Sequence, residues 1–169
     1  MPRTRVVALA AVVVALVAAG LVATAHRGGW HPAAGAAPVA ARGREPVPVR
    51  TLAAWDRHRA AAWRLGSPRR LADLYVAGST AGTRDVAALR GWRDRGFRVS
   101  GMRMQLLEVA VLASGPDRWR LAVTDRLVGA TAVRDGRRTP LPRDTASRHV
   151  VTLMRGGDGR WRVATVAGP

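Results

Sequence analysis

The chain has 169 residues, 48% of them hydrophobic, and carries 28 basic against 11 acidic residues for a formal net charge of +17. That is room for one domain of ordinary size with a buried core, which excludes wholesale disorder. No cysteine occurs, so disulfides, thiol redox chemistry, iron–sulfur clusters and cysteine-based zinc sites are excluded. Every basic residue is Arg, and Lys, Asn and Ile are absent, the signature of a GC-rich coding sequence. Part of the basicity is therefore compositional bias. The functional alternative is attraction to anionic lipid or wall polymer. Nucleic acid is not expected as a partner, because no nucleic-acid-binding motif and no run of five basic residues is present.

The N-terminus carries the strongest single signal. After MPRTR, residues 6–25 are Val, Ala and Leu with one Gly and one Thr. About 20 apolar residues rise roughly 30 Å as a helix, enough to cross a bilayer core. Arg3 and Arg5 place the leading end in the cytoplasm. Two readings stand: a retained single-pass anchor, or a signal peptide cut at Ala23-Thr24-Ala25. The length of the run favours the anchor, and both readings put the rest of the chain outside. Residues 26–49 are dense in Gly, Ala and Pro and read as a tether, with Pro46-Val47-Pro48 extended. His26 and His31 fall in this tract, and two histidines there make a poor metal site.

The domain is expected over residues 50–169, helices first. Thr51 is a candidate N-cap for a helix whose stripe is Leu52, Trp55, Ala62 and Leu65, with His58 in that stripe and Gly66 ending it. Ser67-Pro68 starts a second helix, bearing Leu71, Leu74 and Tyr75. Gly78 to Gly82 reads as a loop. Thr83 then caps a third helix, with Asp85 in its first turn, Val86, Leu89 and Trp92 as its stripe, and Gly96 closing it.

Strands follow. Val99 to Leu112 alternates but changes phase at Leu106-Leu107, which predicts a bulge. Trp119, Leu121, Val123 and Leu127 alternate with polar neighbours as a half-buried strand does. Asp135-Gly136 predicts a hairpin, Pro140 and Pro142 a loop. Segments 147–155 and 160–166 flank a Gly-rich turn. Three helices followed by about four antiparallel strands make an α+β domain, with the helices packed on one curved sheet.

That order and size resemble the NTF2-like (cystatin-like) cone fold. The stretches LADLYVAGSTAGTRDVAALRGWRDRGFRVSGM and LAVTDRL resemble a family of uncharacterised actinobacterial membrane or exported proteins. The resemblance covers most of residues 51–166 and implies fold and compartment. The layout of span, tether and cone is similar to the Mce-associated membrane proteins, which implies an accessory domain that binds another envelope protein.

A chemical alternative rests on few residues. Asp125 is in phase with Leu121, Val123 and Leu127, and His149 with Val151 and Leu153. An Asp pointing into an apolar cone has a raised pKa and can act as a general base, as in ketosteroid-isomerase-like members of the fold. Tyr75, the single tyrosine, is placed to polarise a carbonyl, with His149 orienting the carboxylate. The competing readings are a purely structural contact, Asp125 paired with an arginine or a histidine to hold sheet to helix, and a residue that only contacts a bound ligand. No cofactor or metal signature is present, and the tryptophans read as core or rim residues.

Overall fold

The structure, a computed structural model, describes residues 45–168. The apolar run of residues 6–25 and the tether up to residue 44 lie outside them. Among the described residues no helix is long and apolar enough to cross a membrane.

The element order is α1 (Val47–Leu65), α2 (Pro68–Ala72), α3 (Thr80–Asp94), β1 (Arg98–Ser114), β2 (Arg118–Arg134), β3 (Arg137–Pro140), β4 (Ser147–Arg155) and β5 (Trp161–Ala167). All strand pairs are antiparallel, in the order β1-β2-β4-β5, with β3 beside the far end of β2. The expected α+β domain is therefore present, with five strands rather than about four. The additional strand, β3, lies where Pro140 suggested only a loop. Its Pro140 sits at the strand end opposite Thr131, where a missing N–H costs little.

Helix α1 starts four residues before Thr51, inside the stretch expected to be extended tether. Pro48 falls in the first turn, where proline is tolerated because that N–H needs no intrahelical acceptor. Pro48 and Val49 are buried, so packing fixes the earlier start. The chain leaves α1 through Gly66 in the left-handed region, at φ 60°. Ser67 then caps α2, its hydroxyl accepting from the Arg70 N–H. Ser79, not Thr83, caps α3, and Gly82 lies within the helix. A Cβ on Gly82 would sit 2.7 Å from Tyr75 Cβ and Cγ, so this glycine lets α3 approach the tyrosine ring.

The core lies between the helices and the concave face of the sheet. Trp63 of α1 and Trp92 of α3 are almost wholly buried, alongside Leu71, Leu121, Leu153 and Val163. At roughly 25 cal/mol per Å2, an aromatic side chain of about 200 Å2 contributes up to about 5 kcal/mol by burial, so these two tryptophans are the main anchors of the helices. The buried stripe of α1 is Leu52, Arg59, Ala62 and Trp63, with Trp55 half-buried, whereas Leu65 and His58 are exposed. The stripe runs one step away from the expected line because Trp63 is the residue that enters the core. Strand β1 bends through register shifts between Ser100 and Met104, where Gly101 takes φ 65°, and again between Leu106 and Glu108 at the predicted phase change. These irregularities curve the sheet around the helices.

Candidate functional site

A cavity of about 200 Å3 opens between the N-terminal halves of α1 and α3 and the middle of the sheet. Leu52, Trp55, Val123, Val151 and Val163 supply an apolar lining. Against it stand two polar groups of opposite character.

The first group is complete. Arg59, projecting from the apolar stripe of α1, holds Asp85 of α3 through two hydrogen bonds, Nε to Oδ2 at 2.6 Å and Nη2 to Oδ1 at 2.7 Å. Tyr75 donates its hydroxyl proton to Asp85 Oδ2 at 2.8 Å, and Trp63 Nε1 donates to Oδ1 at 3.1 Å. Asp85 thus accepts four hydrogen bonds while 3% exposed, and is a core residue rather than a first-turn partner of the helix dipole. Burial pushes the Tyr75 hydroxyl well above its usual range, and the neighbouring Asp85 charge adds to this. Tyr75 stays protonated and spends its proton on Asp85. The Arg59 guanidinium, held by that carboxylate against the cost of burial, stays charged.

The second group is incomplete. Asp125 on β2 and His149 on β4 are 6% and 7% exposed, and His149 Nε2 lies 3.5 Å from Asp125 Oδ2. Ser147 is the direct register partner of Asp125. Asp125 Oδ1, Ser147 Oγ and His149 Nδ1 are buried, with no hydrogen-bond partner among the described residues. Native structures rarely leave such atoms unmatched, and here three occur on neighbouring residues of one cavity wall. Burial raises the Asp125 pKa to about 6, opposed by Arg59 and reinforced by Asp144. Burial also lowers the His149 pKa below 6.5, so the imidazole is neutral at pH 7.

The structure brings Asp125, Tyr75 and His149 to this one cavity. Of the two structural contacts weighed for Asp125, the arginine one is absent among its hydrogen bonds, since Asp85 takes Arg59, and the histidine one is present as the 3.5 Å approach of His149. Two residues of the site escaped the sequence reading. Arg59 lies seven residues after Leu52 on the buried stripe of α1, and a lone charge at such a position is the signal for a buried pair. Asp56, half-buried at the cavity wall one turn before Arg59, has its pKa raised to about 7 by burial, with Arg59 opposing and the Asp125 charge adding. Among the described residues no group of three or more His, Asp and Glu could hold a metal ion.

No protein-family model and no curated protein matches the chain by sequence. Solved structures do match it in shape. Aln2 from a Streptomyces species superposes with a TM-score of 0.50 at 15% identity, over 73% of this chain and 90% of Aln2. The intermembrane space region of the chloroplast protein ARC6 gives 0.51 at 10% identity, over 75% of this chain and 100% of that region. An NTF2-like protein of unknown function from Rhodospirillum rubrum gives 0.43 at 17% identity, over 70% of this chain and 98% of its own. The domain shares the fold of Aln2 and of the ARC6 region. At these identities the likeness is one of fold alone. The cavity sits where the helices close over the concave sheet, and Asp125 lies on the central strand beneath it.

Proposed function

We propose that the cone binds a small, largely apolar molecule and that Asp125 acts on it as a proton acceptor. The observation that carries this is a buried carboxylate whose Oδ1 has no hydrogen-bond donor among the described residues, on the wall of an apolar cavity, while the arginine that could have neutralised it is engaged by Asp85. A base with a pKa near the working pH combines a useful ionised fraction with proton affinity. His149, neutral and 3.5 Å away, orients the carboxylate. Tyr75 acts indirectly, by fixing Asp85 and through it Arg59. The reaction class this supports is proton abstraction beside a carbonyl, as in isomerisation or dehydration.

The test is a fragment screen by NMR on the wild type and on Asp125→Asn, followed by solvent-deuterium exchange at the α-carbon of any bound ketone. Hits should shift Trp55, Val123 and Val151, and exchange should vanish in the variant. Hits that cluster away from the cone, or exchange that survives Asp125→Asn, would sink this reading.

A second reading is an accessory domain, tethered outside the cytoplasmic membrane, that docks on another envelope protein. Its support is the apolar run of residues 6–25 and the outer half of β1, where Leu107, Val111 and Leu112 are 46%, 41% and 46% exposed. An exposed apolar surface of this kind marks an interaction site. Crosslinking in intact cells should then recover one recurrent partner, lost on Leu107→Glu; a Leu107→Glu chain that recovers the same partner rejects the reading.

A further inference from the structure

The fold gathers arginines at one tip. Helix α3 ends in Arg93-Asp94-Arg95, the chain turns at Gly96, and β1 begins with Arg98. The β2–β3 hairpin supplies Arg134, Arg137 and Arg138 across the Asp135-Gly136 turn. Register places Arg98 and Arg138 on either side of Val133, so both project from one face of the sheet about 10 Å apart. Contacts join the two segments. The Arg134 guanidinium lies 5.2 Å from the centre of the Phe97 ring, and its Nε is 3.8 Å from where a Gly96 Cβ would stand. All six arginines are exposed. The acidic residues interleaved with them are Asp94 and Asp135, and Asp135 is engaged by Arg134 at 3.4 Å.

We propose that this tip docks on an anionic phospholipid bilayer. The charge complements phosphate headgroups, and a turn flanked by arginines in all directions suits an extended anionic surface. The cone cavity and the cavity between α1 and β1 both lie away from the tip. Single-stranded nucleic acid would need aromatic faces for stacking, and the one aromatic ring here is covered by Arg134. This surface is independent of the cone and of any reaction in it.

The absence of cysteine makes the test direct, because a single introduced thiol can be labelled in the full chain. An environment-sensitive fluorophore is placed on Thr139→Cys at the tip and, separately, on Thr165→Cys of β5. Each full-length protein is reconstituted with phosphatidylcholine vesicles with or without phosphatidylglycerol. The tip label should report headgroup contact only with the anionic vesicles. The signal should fade as NaCl rises from about 0.1 to about 1 M, which shortens screening from ~10 to ~3 Å. Arg137→Ala/Arg138→Ala should weaken that contact on the order of tenfold or more. Arg155→Ala/Arg160→Ala, at the opposite end of the sheet, should leave it nearly unchanged. Equal signals from the two labels, equal signals on neutral vesicles, or equal losses from the two double variants would each overturn the proposal. So would displacement of the tip label from anionic vesicles by duplex DNA at matched salt, which would make the tip a nucleic-acid surface.

Discussion

Asp85→Asn isolates the contribution of the buried ion pair, because it keeps the shape of the side chain and removes its charge. Asp85 accepts from both donors of the Arg59 fork and from Tyr75 and Trp63. The variant leaves a guanidinium that is 9% exposed without its principal counter-charge. Breaking one side of a buried pair costs about 3–5 kcal/mol. The half-buried Asp56, which also interacts with Arg59, offsets part of that loss, so the lower end is expected. For a domain of this size, each kcal/mol lowers the melting temperature by roughly 3–5 °C, giving a fall of about 10–15 °C. Thermal unfolding followed by circular dichroism at pH 7 measures it. The double variant Arg59→Met/Asp85→Leu should recover much of the loss, because it removes both charges, and not all, because Tyr75 and Trp63 then lack their acceptor. A fall of less than about 3 °C for Asp85→Asn would refute the reasoning, since it would mean that the pair contributes less than about 1 kcal/mol.

Other outcomes follow from the same geometry. Burial raises the pKa values of Asp125 and Asp56 above the unfolded value of 3.8, to about 6 and about 7. The folded state therefore binds their protons more tightly than the unfolded chain, and these groups favour folding at low pH and oppose it as pH rises from about 4 to about 7. Asp125→Asn should accordingly stabilise the fold at pH 8, on the order of 1–2 kcal/mol, with little effect at pH 4, as measured by urea unfolding at the two pH values. Asp125→Asn removes a negative neighbour of Asp56 and should lower the Asp56 pKa from about 7, visible in the carboxyl 13C titration of the apo protein. Gly82→Ala should destabilise by about 1–3 kcal/mol despite its gain of roughly 1 kcal/mol in helix propensity, because the new methyl meets the Tyr75 ring at 2.7 Å; unfolding midpoints decide the sign.

What could be read from the sequence follows periodicity. The Ser67-Pro68 start, the Gly66 stop, the Asp135-Gly136 hairpin and the bulge near Leu107 are local signals, and local chemistry fixes them in the fold. Phase along β2 and β4 was enough to turn Asp125 and His149 inward, because the register between those strands runs without a shift from Arg118 to Asp125. The Arg59–Asp85 pair was not legible. Its members are 26 residues apart, and each has an ordinary local explanation, a solvated helix arginine and a helix-start aspartate. Only the packing of α1 on α3 shows that they meet. The start of α1 was missed for a related reason: Pro46 and Pro48 argue for extended chain locally, and burial of Val49 overrides them. Strand β3 was hidden by its lack of apolar residues, since Arg137–Pro140 is exposed throughout and is held by its ladder to β2.

The two long borders of the sheet are unlike. After α2 the chain runs beside β5, where Tyr75 bridges to Val163, Val76 N–H donates to the Val163 carbonyl and Val163 N–H donates to the Leu74 carbonyl. That short parallel addition occupies the middle of the β5 border. On the other side β1 bonds only to β2 among the described strands, and its outer half carries Leu107, Val111 and Leu112 in the open. A molecule with one receptive border can add a single neighbour there and then has nothing further to offer. Edge pairing through β1 would therefore stop at a pair, because it uses up the border that makes it.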